Sequence, residues 1–133
     1  MKTLKTISLL TLIALTMACG YSSKPAMPAA GTMPTIAQLN PGDATAGGEA
    51  FNLIVNGSNF GAKAVVNWNG VAQASNTTFM SGTEVTVAVP ASLIMTAGTV
   101  QISVTNPGTP GTGMYGGGGT AAATSSPMPF TIN

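Results

Sequence analysis

The side chains that could carry acid–base or nucleophilic chemistry are few in this sequence, and they lie far apart. The chain has no histidine, and its acidic residues are Asp43, Glu49 and Glu84. Nucleophilic catalysis needs a nucleophile beside a base, and glycosidase-type catalysis needs two carboxyl groups in one site. The three acids are scattered, and a Ser–Lys pair would have to use Lys63. The composition therefore predicts a protein that is not an enzyme.

The same composition bears on metals, cofactors and nucleic acids. Zinc and copper sites need histidine or cysteine ligands, and the chain has one cysteine. Asp43 and Glu49 could bind calcium together with backbone carbonyls, but two acids in a glycine-rich loop are usually only solvated. Nucleic-acid binding needs clustered lysine and arginine, and arginine is absent. We expect no metal, no cofactor and no nucleic-acid partner.

The single cysteine, Cys19, follows an apolar segment at the N-terminus. Lys2 and Lys5 precede the apolar residues 7–18, which are fewer than the roughly 20 that a membrane-spanning helix needs. This arrangement is typical of a secretory signal. A lone cysteine cannot form an intramolecular disulfide, and an unpaired thiol on an exported protein is reactive unless it is modified or removed.

The residues up to this cysteine read Leu15-Thr16-Met17-Ala18-Cys19, and they resemble a bacterial lipoprotein signal with Thr16 in the place of the usual leucine. The resemblance implies cleavage before Cys19, lipidation of its thiol and attachment to a membrane of the bacterial cell envelope. An ordinary signal peptide, cleaved after Gly20, is the alternative, and it would release a secreted or periplasmic protein. With cleavage before Cys19, residues 1–18 are the signal peptide. Residues 19–33, which are rich in small residues and proline, form a flexible tether.

From Pro34 onward the apolar residues alternate with polar ones, as in half-buried β-strands. Turn signals recur every 8 to 12 residues and separate seven or eight short strands, which predicts an antiparallel sandwich over residues 34–133. Trp68 could be an exposed platform for sugar stacking, but its alternation with Val66 favours the core. Asn56 and Asn69 are interpreted as turn formers. The predicted bulky core consists of Phe51, Phe60, Trp68, Phe79 and Phe130.

One segment of this domain, residues 108–126, is rich in glycine, threonine and alanine. Four consecutive glycines, residues 116–119, lose much conformational entropy on ordering and gain few contacts. A loop of this length is usually either disordered or functional. Met114 and Tyr115, near its tip, are therefore candidates for a contact loop.

Several short strand and turn segments occur in a fixed order between residues 34 and 133. They include Leu39-Asn40-Pro41, Val55-Asn56-Gly57-Ser58-Asn59-Phe60, Val66-Asn67-Trp68-Asn69-Gly70, Val89-Pro90-Ala91-Ser92-Leu93, Val104-Thr105-Asn106-Pro107 and Phe130-Thr131-Ile132. In this order they resemble the IPT/TIG family of immunoglobulin-like domains. The resemblance implies an all-β, immunoglobulin-like antiparallel β-sandwich of about seven strands. Domains of this family serve in receptors, on bacterial surfaces and beside polysaccharide enzymes, and the family has no catalytic residue to carry over.

Taken together, these features predict a non-catalytic binding or structural module of the cell envelope, anchored by a lipid on Cys19, with a protein or glycan partner. One alternative is a secreted carbohydrate-binding module without an anchor. That module needs exposed aromatic side chains, and only Tyr21 and Tyr115 lie outside the predicted core. A third hypothesis is adhesion through sheet edges, where unpaired backbone groups recruit a strand from another chain.

Overall fold

The computed structural model describes residues 31–111 and 118–133, so the predicted signal peptide and most of the predicted tether lie outside the described residues. Seven strands of four or more residues and three strands of two residues form two sheets in this part of the chain. The strands are β1 (Thr35–Asn40), β2 (Asp43–Ala44), β3 (Phe51–Ser58), β4 (Val65–Trp68), β5 (Val71–Ala72), β6 (Thr77–Ser81), β7 (Glu84–Val89), β8 (Gly98–Asn106), β9 (Ala123–Thr124) and β10 (Met128–Ile132). A single 3₁₀ turn, Ala91–Ile94, connects β7 to β8.

The first sheet has the strand order β1-β3-β7-β6, and all its pairs are antiparallel. Its strands form where the sequence alternates. Leu53 and Val55 of β3 are fully buried, and they pair with Val87 and Val85 of β7. Because successive side chains of a strand point to opposite faces, the residues between them reach the outer surface.

The second sheet has the order β2-β10-β8-β4-β5, and β9 pairs with the far end of β8. Its pairs are antiparallel with one exception, since β2 runs parallel to β10 through Asp43 opposite Thr131 and Ala44 opposite Ile132. After Pro41 and Gly42 interrupt the first strand, the chain changes sheet and comes to lie beside the last strand. The predicted antiparallel pattern therefore holds for every described pair except this one.

The core lies between the two sheets, whose inner faces both contribute buried aliphatic side chains. Phe130 is completely buried, and its ring lies 6.0 Å from that of Phe51 and 5.5 Å from that of Trp68. Trp68 is only 4% exposed, so its assignment to the core is confirmed. Phe60 is also buried, whereas Phe51 and Phe79 are partly buried. The predicted all-β sandwich is confirmed.

One of the two asparagines interpreted as turn formers was assigned wrongly. Asn56 lies inside β3, opposite Gln38 of β1 and Glu84 of β7. The left-handed conformation belongs instead to Asn59, with φ of 61°, directly after the strand. Asn69 does form a turn, with φ of 49°, as predicted.

The sheet edges are irregular or very short. In β1 the register shifts at Ala37, and in β6 it shifts at Met80, so each outer strand of the first sheet carries a β-bulge. The second sheet ends in β2 and β5, which have two residues each. Bulges and short edge strands prevent a regular ladder from forming with another chain. This geometry disfavours adhesion through sheet edges.

Candidate functional site

The predicted functional residues lie outside the residues that the structure describes. Cys19 is in the N-terminal part of the chain, and Met114 and Tyr115 fall within residues 112–117. The described residues show where the segments carrying them join the sandwich. They also show one apolar groove that the sequence analysis did not predict.

Asn106, the last residue of β8, joins the end of the tether to the sandwich. Its side chain is 9% exposed, and its Nδ2 donates hydrogen bonds to the carbonyl oxygens of Thr32 (2.9 Å) and Asn59 (2.8 Å). Its Oδ1 accepts a hydrogen bond from the Gly61 N–H at 2.8 Å. A buried amide that makes three such bonds fixes the backbone around it. The tether therefore reaches the sandwich at a defined point, beside the β3–β4 connection.

The described ends of the glycine-rich segment are paired rather than irregular. Thr105 lies opposite Thr124, and Thr109 lies opposite Thr120. The backbone groups of Thr109 and Thr120 bond one another in both directions at 3.0 Å, and their hydroxyl oxygens are also 3.0 Å apart. These pairs extend β8 and β9 beyond the sheet as a two-stranded ribbon.

Gly31, at the described end of the predicted tether, packs closely against this ribbon. A Cβ added to Gly31 would lie 2.1 Å from the Ala121 carbonyl oxygen, so only glycine fits there. A cleft of about 730 Å³ surrounds the junction, and its lining includes Lys63 and Pro110. Three segments therefore meet at one end of β8: the described end of the tether, the β3–β4 connection and the ribbon.

A smaller groove, of about 440 Å³, opens at the other end of β8. It lies between the β4–β5 turn, the segment that follows the 3₁₀ turn and the first residues of β8. Val71 is 63% exposed and Met95 is 71% exposed, and both line the groove together with Trp68, Leu93 and Val100. Exposed apolar side chains in a concavity mark a candidate binding site. We call this feature the distal groove.

Local structure explains why the distal groove is apolar and open. The Asn69–Gly70 turn ends β4 and places Val71 on a two-residue edge strand, which no other described segment covers. In the 3₁₀ turn, Ile94 enters the core at 1% exposure, which leaves the next residue, Met95, on the surface. In the sequence, Val71 and Met95 carry no pattern that distinguishes them from core residues.

Asp43 and Glu49, the two acids considered for a calcium site, have different surroundings. Asp43 accepts a hydrogen bond from Asn133 Nδ2 at 2.7 Å, and Glu49 is exposed. No group of three or more potential metal ligands occurs in residues 31–111 and 118–133.

The outer face of the second sheet is polar, but its side chains bond one another. Asn67 Nδ2 donates to the hydroxyls of Ser103 (3.1 Å) and Thr105 (2.8 Å). The Thr105 hydroxyl is in turn 2.8 Å from that of Thr124. Among the described residues no aromatic side chain is classed as exposed. This face is therefore a poor platform for sugar stacking, which uses exposed aromatic rings.

Neither a membrane-spanning helix among the described residues nor a similar known protein was found. Within the described ranges, no helix is long and apolar enough to cross a membrane. No family model, no curated protein and no solved structure matches this sequence.

Proposed function

We propose that this chain is a non-catalytic binding module of the bacterial cell envelope, anchored by a lipid on Cys19. One observation carries the proposal. The tether joins the sandwich at the Asn106 end of β8, and the distal groove opens at the Gly98 end. The nine residues of β8 separate the two sites by about 30 Å. A domain held by its tether at one end presents the opposite end to a partner.

We also propose that the sandwich is of immunoglobulin-like, IPT/TIG type. In an immunoglobulin domain the strands, lettered in chain order, form the sheets ABED and CFG. The order β1-β3-β7-β6 corresponds to ABED, and β10-β8-β4 corresponds to GFC. The strand order and the ordered sequence segments support the same assignment by independent routes.

The anchor is tested by the intact mass of the protein from a membrane fraction of a bacterial host. We expect the mass of residues 19–133 plus a diacylglyceryl group and one acyl chain. Several acyl chains on one residue would attach the protein stably to the membrane. Cys19→Ser is the matched control, and it should lack the lipid mass. A soluble protein that starts after Cys19, with an identical result for the variant, would overturn the anchor.

The role of the distal groove is tested by photo-crosslinking in intact cells. A photo-reactive phenylalanine analogue at Met95 should give a discrete adduct with one partner, because this side chain is exposed in an apolar concavity. The same analogue at Thr78, which is exposed on the first sheet, serves as the control. Equal adduct patterns at the two positions would argue against the groove as the binding surface.

The alternative, a secreted carbohydrate-binding module, has less support. Trp68, Phe60 and Phe130 are buried, and Phe51 and Phe79 are partly buried. The aromatic contribution to such a module would therefore come from Tyr21 and Tyr115, which lie outside the described residues.

A further inference from the structure

The chain contains two asparagines that are followed by glycine, Asn56–Gly57 and Asn69–Gly70. In such a pair the glycine backbone nitrogen can attack the asparagine side-chain carbon, since glycine has no side chain to hinder the approach. The side-chain nitrogen leaves as ammonia, and a five-membered succinimide forms. Water then opens the ring at either carbonyl and gives aspartate or isoaspartate. This sequence of steps needs no enzyme and no oxidant, and its co-reactant is water.

The Asn69–Gly70 pair lies where this reaction can occur. Both residues are exposed, and they form the two-residue turn between β4 and β5, with φ of 49° and 86°. Cyclisation requires the turn to rearrange so that the nitrogen can reach the side chain. Two residue pairs close the turn, Trp68 with Val71 and Asn67 with Ala72, and the Asn69 N–H donates a hydrogen bond to the Gln101 carbonyl oxygen at 2.8 Å. The strand that follows the turn, β5, is an exposed edge strand of two residues. Such a segment opens locally at low cost.

The Asn56–Gly57 pair has the same chemistry but a different environment. It lies in β3, which is paired with β1 on one side and β7 on the other. The Gly57 N–H, the group that would have to attack, donates a hydrogen bond to the Thr83 carbonyl oxygen at 2.9 Å. Freeing this nitrogen requires the end of β3 to separate from the β6–β7 turn, next to the pairing of Gly57 with Ile36 of β1. The Asn56–Gly57 pair therefore serves as an internal control that the fold protects.

We propose that Asn69 is a site of spontaneous deamidation that adds a carboxylate to the rim of the distal groove. Asn69 lines this groove beside Trp68 and Val71. Aspartate there introduces a negative charge next to apolar side chains. Isoaspartate also lengthens the backbone by one methylene and disturbs the pairing of Trp68 with Val71. The deamidation itself does not depend on the proposed function, whereas its effect on a partner does.

The test follows the intact mature protein during incubation in a mildly alkaline buffer, with peptide mapping by mass spectrometry at intervals. The peptide containing Asn69 should gain the mass difference between an amide and an acid, and it should split into aspartate and isoaspartate isomers. Conversion at Asn69 should be at least about tenfold faster than at Asn56, which corresponds to a difference of about 1.4 kcal/mol in opening free energy. Equal rates at the two sites, or no conversion at Asn69, would overturn the proposal.

The same incubation in denaturant separates the effect of the fold from that of the local sequence. Because both pairs are Asn–Gly, the two sites should then convert at similar rates, with Asn56 accelerating the more. A rate difference that persists in the unfolded chain would show that the fold does not protect Asn56. A second control, Asn69→Gln, should abolish conversion at this position in the folded protein.

Discussion

Replacing Phe130 by alanine is expected to lower the free energy of unfolding by about 3–5 kcal/mol. This ring is completely buried, and it contacts Phe51 and Trp68 at centroid distances of 6.0 Å and 5.5 Å. Removing the ring loses the free energy that is gained when the ring is buried away from water. It also leaves a cavity between the two sheets. Since a domain is stable by only about 5–15 kcal/mol, this loss is a large share of the total. Urea denaturation followed by tryptophan fluorescence measures it, with Trp68 as the probe.

Met80→Ala is the control for this experiment. Met80 is 58% exposed at the bulge of β6, so its truncation should change stability by no more than about 0.5 kcal/mol. A Phe130→Ala variant as stable as Met80→Ala would mean that Phe130 is not at the centre of the core.

Gly57→Ala is expected to destabilise the domain by about 3 kcal/mol or more, because the added methyl group has no space. A Cβ at this position would lie 1.9 Å from the Thr35 carbonyl oxygen and 2.7 Å from Cζ of Phe60. Thr35 begins β1, so the backbone of this strand must move away from β3. Denaturant titration should show the loss, and hydrogen exchange should show faster exchange of the β1 amides.

Gly82→Ala is the matched control for the steric argument. The nearest atom to a Cβ at this position is the Phe60 carbonyl oxygen at 3.8 Å, an ordinary contact. Alanine also restricts the unfolded chain, so this variant should be neutral or slightly more stable. If both glycine variants lost the same stability, the close approach at Gly57 would not be the cause.

The strands of the sandwich could be predicted because each carries its own pattern. Leu53 and Val55 in β3, or Val85 and Val87 in β7, alternate with polar residues, and the period of two needs no knowledge of the partner strand. The pairing of Thr109 with Thr120 could not be predicted in this way. The residues around them are glycine, alanine and threonine, which give no alternation in hydrophobicity.

Contacts between distant segments were also beyond prediction. The parallel pairing of β2 with β10 depends on where the chain goes after it leaves the first sheet. The role of Asn106 depends on carbonyl groups of the tether and of the β3–β4 connection, which its own neighbours do not reveal. Asn56 was misassigned because a strand and a turn can both contain an Asn–Gly pair, and strand pairing decides between them.

One part of the candidate site could be predicted from the sequence, and the other could not. Cys19 is a candidate because of its position after an apolar segment, and that information is local to the sequence. The distal groove arises from an edge strand, a 3₁₀ turn and the beginning of β8, which only the fold brings together. Exposed apolar residues such as Val71 and Met95 look like core residues until their surroundings are known.

The bulges at Ala37 and Met80 have a consequence for how this protein behaves in different media. Many proteins carry lysines on their edge strands, and the charge repulsion prevents pairing with another chain. Salt screens this repulsion and weakens it. In this chain only 5% of residues are charged, so the edges are protected by the path of the backbone. A geometric barrier does not depend on ionic strength. Pairing of these two edges with another chain should therefore be hindered equally at low and at moderate ionic strength.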